Sequence, residues 1–290
     1  MTNQVIAFTY STIDFSDFKN RNKETALRIG KVDKFFAFGP EDIEPEFYQK
    51  NEIILTQKRG AGLWLWKPYF FYRLLNQLQE NEILLYTDAA SYYVKSIFYL
   101  TKFFKTTGQD IMGFDLPLQS DQWTKEETFT LMNATESERL SNQISASFIL
   151  IKKTKDTLNF AKQWLDYCCN IELISEVTFY PHIKNSNNFI SHRYDQSIFS
   201  ILYIKHGFKS YRDPSQYGVL SWEYFLSKNV IYIISQKYIT KEYPTLFFHI
   251  RNISDFKKFH FKTILKLFLA KFLFYQKWEI KRRKKVQADL

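Results

Sequence analysis

Short apolar runs alternate with segments of helical periodicity along most of this 290-residue chain. Runs of strand length occur at 4–10, 34–39, 83–86, 110–114, 144–152 and 246–250, with shorter extended segments at 53–57 and 208–211. Helical spacing of apolar residues occupies the intervals at 15–28, 68–79, 93–105, 125–132, 156–169 and 195–205. Strands that alternate with helices predict an α/β fold with a mainly parallel sheet.

The C-terminal residues follow a different pattern. Apolar side chains recur there at helical spacing, at Ile264, Leu265, Phe268, Leu269 and Phe272. Lysines occupy a narrower face, and the segment ends in the basic run 281–285. We therefore predict one domain over residues 1–256 and a basic, aromatic, amphipathic helical arm over residues 257–290.

The net charge of +10 lies on this arm. Residues 257–285 hold 11 Lys and Arg and one Glu, whereas the rest of the chain holds 29 basic and 29 acidic residues. A nucleic-acid-binding body more often spreads its positive charge over the folded domain. A basic aromatic helix favours contact with an anionic membrane surface. The expected contacts are Lys262, Lys266, Lys281, Arg282 and Arg283.

Composition narrows the class further. Hydrophobic residues make up 45% and charged residues 24%, which is typical of a globular protein. The two cysteines, Cys168 and Cys169, are adjacent, so neither a disulfide framework nor a zinc site is expected. We see no secretory signal and no apolar stretch of about 18 residues, the length that spans a membrane. These features predict a cytoplasmic protein.

An acidic residue follows the apolar run at 83–86. The segment ILLYTDAA places Asp88 at the carboxyl end of a predicted strand, the edge where ligands bind in open α/β sheets. A carboxylate there can hold Mg²⁺ or Mn²⁺, which in turn binds a diphosphate. The alternative is that Asp88 caps the next helix.

A second polar segment, RGAGLWLWKP, stands at 59–68. Its cations, Arg59 and Lys67, can neutralise phosphate. Its two glycines let the backbone approach a ligand closely. Trp64 and Trp66 can stack on a sugar or a base, or can lie in the core.

Six segments in order resemble a family of bacterial glycosyltransferases associated with surface-polysaccharide and lipopolysaccharide synthesis. They are RGAGLWLWKP, ILLYTDAA, DQWTK, QISASFILIKKT, HRYDQSIFSIL and FFHIRN, and the resemblance runs from about Val5 to Asn252. This resemblance implies the nucleotide-sugar transferase fold called GT-A, with a mixed, mainly parallel sheet. The chain is more distantly similar to glycosyltransferase families 8 and 32. The implied reaction moves a sugar from a nucleotide-diphosphate sugar, by default a UDP-sugar, to a hydroxyl group.

The resemblance also implies a metal site. Asp88 matches the acid that binds a divalent ion, Mn²⁺ or Mg²⁺, and the donor diphosphate. Ala90 stands where the second acid of the usual Asp-x-Asp motif would be, so this chain departs from the pattern that makes such enzymes metal-dependent. His249 matches a histidine that completes the site, although a hydrogen-bonded structural histidine is the alternative.

The sugar-binding residues come from the same resemblance. Asp195 and Gln196 match a catalytic pair on the acceptor side of the donor sugar, which implies retention of anomeric configuration; Asp195 also suits a helix N-cap. The expected donor contacts are Arg59, Trp66, Lys67, Asp88, Lys125 and Gln143.

The implied partners are a nucleotide-sugar, a polysaccharide, lipopolysaccharide or lipid-linked acceptor, and the inner face of the cell membrane, with no nucleic acid. Three alternatives remain open at this point. The chain can be a non-catalytic protein that holds nucleic acid or membrane through its arm. It can be a transferase relic that binds donor without turnover, because the second acid is missing. The arm can also pack on the domain with a solvated basic tail.

Overall fold

The computed structural model describes residues 4–224, 242–250 and 256–289. Its strands are β1 (Val5–Tyr10), β2 (Lys34–Phe38), β3 (Ile83–Thr87), β4 (Ser91–Tyr93), β5 (Ile111–Met112), β6 (Asp115–Gln119), β7 (Asn142–Ile144), β8 (Phe148–Lys152) and β9 (Phe247–His249). Its longer helices are α1 (Ser16–Thr25), α2 (Trp66–Gln77), α3 (Phe98–Phe104), α4 (Lys155–Cys168), α5 (Asp195–Lys205), α6 (Phe256–Leu269) and α7 (Leu273–Asp289). Shorter helical segments are Pro45–Lys50, Glu52–Leu55, Ser120–Trp123, Glu126–Leu131, Glu136–Leu140 and Ile171–Ile174.

The central sheet has the strand order β2-β1-β3-β8-β5. Strand β1 pairs in parallel with β2 and with β3, whereas β8 runs antiparallel to both of its neighbours, β3 and β5. Strand β5 therefore points the same way as β3, and β8 alone is reversed within this sheet. The prediction of an α/β fold with a mixed, mainly parallel central sheet is confirmed.

Alternating side chains bury both faces of the sheet. Ile6, Phe8, Leu84 and Tyr86 join one cluster with the apolar faces of α2, α4 and α5. The intervening residues, among them Ala7 and Leu85, join a second cluster with α3 and β9. Because side chains alternate across a strand with a period of two, each strand contributes to both layers. The strands are accordingly apolar throughout, as the sequence pattern indicated.

Several predicted elements differ from the structure. Residues 53–57, predicted to be extended, lie largely in the helix Glu52–Leu55. The helix predicted at 93–105 begins only at Phe98, because the residues before it pair as β4 with β9. The segment predicted as a strand at 208–211 contributes one isolated bridge, from Tyr211 to Phe114. The late start of the helix at Phe98 comes from a pairing partner distant in the sequence, since β4 pairs with β9.

The run 144–152, predicted as one strand, divides into β7 and β8. The Ser147 carbonyl, at the break, accepts a hydrogen bond of 3.0 Å from the Asp88 backbone amide. The Ser145 hydroxyl accepts one from the Ser147 amide at 3.2 Å. Local side-chain bonding of serine thus competes with the strand ladder at this point, and the break lies beside the carboxyl end of β3.

The C-terminal arm forms two helices, α6 and α7, rather than the single helix predicted. Its inner side packs on the body: Phe256, Phe259 and Leu267 contact the cluster of Tyr92, Phe248 and Ile250. Lys266 forms an ion pair of 2.6 Å with Glu223. Within the described residues, no helix combines the length and apolar character needed to cross a membrane. The division at residue 256 stays a prediction, with the arm packed against the rest of the chain.

Candidate functional site

The loop after β3 carries Asp88 at the carboxyl edge of the central sheet. Besides the bond from the Asp88 amide to Ser147, the Asp88 carbonyl accepts a hydrogen bond of 2.9 Å from the side chain of Asn22, on α1. Asn22 also donates to the Thr87 hydroxyl at 3.1 Å. The backbone around Asp88 is therefore fixed by elements on both sides of β3.

Tyr86 orients the Asp88 carboxylate. Its hydroxyl donates a hydrogen bond of 2.5 Å to Oδ1 of Asp88. The two side chains can meet because residues two apart on an extended chain point to the same face. Burial first, and then the neighbouring Asp88 carboxylate, raise the pKa of Tyr86 well above its usual range. The phenol therefore stays protonated and donates its hydrogen bond to Oδ1. Oδ2 is the other oxygen that the Asp88 carboxylate can offer to a ligand.

A buried ion pair stands next to this contact. The Lys67 ammonium lies 2.7 Å from Oδ2 of Asp195, and both side chains are 4% exposed. The same ammonium lies 5.2 Å from the centre of the Tyr86 ring. Burial raises the pKa of Asp195 to about 6, Lys67 opposes that rise, and the Asp88 carboxylate adds to it. The charges of Lys67, Asp195 and Asp88 therefore interact with one another.

His249 belongs to the same corner of the molecule. Strands β4 and β9 pair so that Ser91 faces His249, and the Ser91 hydroxyl lies 3.1 Å from Nδ1 of the imidazole. The Ser91 amide donates to the Asp88 carbonyl at 2.8 Å, and the Ile250 amide donates to the Ala90 carbonyl at 2.8 Å. The turn after Asp88 is thus directly bonded to the strand that carries His249.

Gln196 is positioned by Gln143. Gln196 donates to the Gln143 side-chain oxygen at 3.1 Å and accepts from the Ala146 amide at 3.3 Å. Gln143 is fully buried and donates to Thr124 at 3.0 Å. Gln143 thus holds the side chain of Gln196 in place. Direct contact between Gln143 and a donor stays a prediction.

Trp66 and Lys125 are also buried. Trp66 is 4% exposed and stacks on Tyr10 with ring centres 4.0 Å apart. The Lys125 ammonium pairs with Glu127 at 3.0 Å and donates to the Val177 carbonyl at 2.7 Å. These contacts are supporting ones, and donor binding by either residue stays a prediction.

The side chains of Asp88 and His249 decide whether a divalent ion fits at this corner of the molecule. Asp88 and His249 offer a carboxylate oxygen and an imidazole nitrogen in one corner, and both side chains are partly exposed. Among the described residues no group of three or more His, Cys, Asp or Glu could hold a metal. Two protein ligands suit an ion that takes its remaining ligands from substrate phosphates and water. The residues present therefore fit a metal–diphosphate site.

Two other parts of the surface are concave. Cavities of about 490 Å³ beside Gln163 and Tyr167, and about 410 Å³ beside Phe104 and Gln109, share no lining residue with the corner of Asp88 and His249. The chemistry-bearing groups, rather than these cavities, define the candidate site.

Some members of the site were missed by the sequence analysis. Tyr86 precedes Asp88 by two residues, so strand alternation could have indicated it. Ser91 and Ser147 carry no local signal, because their partners are far away in the sequence. Tyr194 was treated only as part of a motif, yet it adopts a positive φ of 52° immediately before Asp195.

The predicted membrane contacts have different environments. Lys262 and Lys281 are exposed. Lys266 pairs with Glu223, and Arg282 pairs with Glu279 at 2.7 Å. The side chain of Arg283 lies outside the described residues. Contact of these residues with a membrane stays a prediction.

Comparisons with known proteins concern the fold. No protein-family model matches the chain, and no curated protein matches it by sequence. It is similar to the apo structure of mouse xyloside xylosyltransferase 1, at 10% identity and a TM-score of 0.46, over 85% of this chain and 97% of that one. It is also similar to the galactosyltransferase LgtC in complex with donor and acceptor sugar analogues, at 12% identity and a TM-score of 0.46, over 91% and 95%. A third similarity is to the apo glycosyltransferase GlyE of Streptococcus pneumoniae TIGR4, at 14% identity and a TM-score of 0.40, over 97% and 64%.

Removal of one partner from the buried ion pair should destabilise the fold. Lys67→Met leaves the Asp195 carboxylate buried without its counter-charge, so we expect a loss of about 3–5 kcal/mol in the free energy of unfolding. The double variant Lys67→Met/Asp195→Leu removes both charges and should regain most of that loss. The control Lys162→Met breaks an exposed pair with Asp166 and should cost about 0–1 kcal/mol. Urea denaturation measures all four proteins, and equal losses in Lys67→Met and Lys162→Met would contradict the expectation.

His192 should make stability depend on pH. It is buried, its Nδ1 accepts a hydrogen bond of 3.3 Å from the Lys125 amide, and burial lowers its pKa from 6.5 to about 3. Below pH 6.5 the unfolded chain takes up a proton that the native chain does not, so this residue lowers stability progressively as the pH falls towards 3.

The slope provides the measurement. Between pH 4 and 6, the stability of His192→Gln should change with pH by about 1.4 kcal/mol per unit less than that of the wild type. His182→Gln, at an exposed histidine, is the control for the loss of a histidine elsewhere in the chain. Identical slopes in wild type and His192→Gln would show that the buried imidazole is protonated in the native state.

Proposed function

We propose that this protein is a glycosyltransferase of GT-A type that transfers a sugar from a nucleotide-diphosphate sugar to a hydroxyl group. One observation carries the proposal: Asp88, His249 and the Lys67–Asp195 pair converge at the carboxyl edge of a mainly parallel sheet. Ligands bind at that edge in open α/β sheets. The oxygen, nitrogen and ammonium groups there suit a diphosphate and a sugar.

Asp88 and His249 would hold a divalent ion, Mn²⁺ or Mg²⁺, together with the donor diphosphate. When bound, such an ion neutralises the charge that develops on the leaving nucleoside diphosphate. Tyr86 fixes the Asp88 carboxylate, and Ser91 fixes the imidazole ring of His249. Ligands held in this way by neighbouring groups lose little freedom when they bind an ion.

Asp195 and Gln196 would contact the transferred sugar. Lys67 favours the ionised carboxylate of Asp195, which can stabilise the positive charge that develops at the anomeric carbon. Gln196, held by Gln143, can hydrogen-bond a sugar hydroxyl. A carboxylate beside the anomeric carbon is compatible with retention of configuration, which we include in the proposal. We take UDP as the nucleotide and a polysaccharide, lipopolysaccharide or lipid-linked saccharide as the acceptor.

A panel of nucleotide-sugars tests the proposal. The full chain should release nucleoside diphosphate from at least one UDP-sugar in the presence of Mn²⁺, and Asp88→Asn and His249→Asn should each lower the rate about 100-fold or more, because charge stabilisation of the leaving group is lost. The control Asp156→Asn changes an exposed acid in the first turn of α4, at the opposite edge of the sheet, and should keep the wild-type rate.

Two results would contradict the proposed reaction. The wild type could release no nucleoside diphosphate from any member of the panel, with or without Mn²⁺. Alternatively, Asp88→Asn could turn over at the wild-type rate, which would remove the carboxylate from the mechanism.

We further propose that α6 and α7 dock on the inner face of the cell membrane. Large apolar side chains on these helices point away from the body, with exposures of 69% at Phe261, 54% at Phe268 and 72% at Phe274. Exposed lysines accompany them, at Lys262, Lys271, Lys277 and Lys281. Aromatic insertion together with basic attraction is the combination by which interfacial helices bind anionic lipid.

Point substitutions test this docking better than truncation, because the inner side of the arm covers Tyr92 and Phe248. The triple variant Phe261→Ser/Phe268→Ser/Phe274→Ser should bind vesicles containing phosphatidylglycerol at least about tenfold more weakly than the wild type does. The control Phe98→Ser removes a phenylalanine that is 58% exposed on α3 and should bind like the wild type.

Vesicles of different lipid composition show whether the binding depends on anionic lipid. Wild-type binding should be stronger to vesicles with phosphatidylglycerol than to vesicles of phosphatidylcholine alone, and should weaken at high salt. Equal sedimentation of the triple variant and the wild type would exclude this face as the membrane contact.

A further inference from the structure

An unusual backbone segment precedes helix α2. Five consecutive residues have positive φ: Gly60 at 60°, Ala61 at 49°, Gly62 at 96°, Leu63 at 53° and Trp64 at 62°. The segment is therefore a turn of left-handed helix, which residues other than glycine disfavour because Cβ approaches the backbone carbonyl. Strain of this kind persists where the surrounding structure requires it, and it concentrates at functional sites.

The left-handed turn presents the indole of Trp64. A Cβ on Gly60 would lie 2.3 Å from Cε3 of Trp64, so the indole packs directly on the backbone at residue 60. The next residues of the chain continue into α2, where the Lys67 amide donates to the Trp64 carbonyl at 2.9 Å. The same turn therefore places Trp64 at the surface and Lys67 against Asp195.

Trp64 meets a second strained residue. Its ring centre lies 5.2 Å from that of Tyr194, which has φ 52° and ψ −125°. The Arg59 guanidinium lies 5.6 Å from the Trp64 ring and 5.9 Å from the Tyr194 ring. Burial first, and then the neighbouring Glu176 carboxylate, raise the pKa of Tyr194. Two unfavourable backbone conformations thus bring one group of side chains together.

The exposed parts of this group have the chemistry of a sugar-binding surface. Tyr194 is buried, Trp64 is partly exposed, and Arg59 and Glu176 are exposed. An indole can stack on the C–H face of a pyranose ring, while a guanidinium and a carboxylate bond to its hydroxyls as donor and acceptor. Neither Asp88 nor His249 contributes to this group, so it is separate from the diphosphate end of the site.

Resting on the proposed function, we infer that Trp64, Arg59 and Glu176 form the subsite that binds a pyranose ring of the acceptor saccharide. Tyr194 is a positioning residue beneath it, directly linked through the chain to Asp195. The charged and aromatic groups follow one another from His249 and Asp88, through Tyr86 and the Lys67–Asp195 pair, to Tyr194 and Trp64. The diphosphate is bound at the first end and the acceptor at the second. For Arg59, predicted from the sequence to contact the donor, we infer a role at the acceptor end instead.

Saturation-transfer NMR tests the subsite independently of turnover. The full chain is mixed with a panel of probes: the methyl glycosides of glucose, galactose, mannose and N-acetylglucosamine, and lactose. At least one should receive saturation from the wild type, and Trp64→Ala should bind it about tenfold more weakly, because the stacking surface is lost. Gly60→Ala displaces the indole without removing it and should weaken binding as well.

Matched variants keep a folding defect from imitating the result. Trp64→Phe retains an aromatic ring and should bind the probe with intermediate strength. Tyr99→Ala removes an aromatic side chain that is 48% exposed on α3 and should bind like the wild type. Thermal unfolding identifies any variant that has lost its fold, and such a variant is replaced by Trp64→Phe in the comparison.

Two outcomes would overturn the inference: no saturation of any probe by the wild type, or equal binding by Trp64→Ala and the wild type. In the second case, displacement of the probe by a UDP-sugar would place the saccharide in the donor pocket. If the wild type hydrolyses a nucleotide-sugar but shows one of these outcomes, the proposed subsite is wrong and the proposed reaction is not contradicted. If the wild type binds the probe through Trp64 but turns over no nucleotide-sugar, the proposed reaction is wrong and the subsite is not contradicted.

Discussion

The contact between Lys67 and Asp195 is the constraint on which the site depends. Two charges can be buried at 4% exposure only if they neutralise each other and are well oriented, since the desolvation of either one alone is costly. The pair joins the first turn of α2 to the first residue of α5, two helices that share one side of the central sheet. The Asp195 carbonyl also accepts a hydrogen bond of 3.2 Å from the Trp164 indole on α4. The positions of these three helices, and of the groups at the end of β3, are therefore coupled through one residue, Asp195.

The sequence predicts those parts of the fold that are determined locally. Helix α5 was predicted at 195–205 and occupies Asp195–Lys205, because its apolar residues and its polar start lie within one continuous segment. The apolar runs of β1 and β3 predicted a buried sheet with Asp88 at its edge. Contacts between distant segments were beyond such patterns. Lys67 and Asp195 are 128 residues apart in the sequence, and the buried pair of Lys125 with Glu127 is not marked by any periodicity. The left-handed turn at Gly60–Trp64 could not be predicted, because nothing in the residues Ala61 and Leu63 signals a positive φ.

The two-stranded sheet of β4 and β9 connects the candidate site to the arm. Ser91 and His249 face each other at one end of it, whereas Tyr92 and Phe248 pack against Phe256 and Phe259 of α6. Successive side chains of a strand point to opposite faces, so one short sheet carries Ser91 and His249 on one face and contacts the arm with the other. The Tyr92 hydroxyl lies 3.0 Å from Nδ1 of His260, which adds a polar contact to that second face. A displacement of α6 at a membrane would therefore act on the backbone that carries His249.

The charged residues around Asp88 bear on the absence of a second acid at position 90. Ala90 provides no carboxylate, and its backbone carbonyl is occupied by the Ile250 amide at 2.8 Å. Burial raises the pKa of Asp195 and the Asp88 carboxylate adds to that rise, so two carboxylates already interact here without an acid at position 90. Lys67 neutralises Asp195 and leaves Asp88 as the carboxylate that would face an ion, with the imidazole ring of His249 beside it. A divalent ion in this corner would then draw most of its balancing charge from the diphosphate of the donor. Under the proposed function, ion and donor would therefore bind together rather than one after the other, because neither would find enough opposite charge in the protein alone.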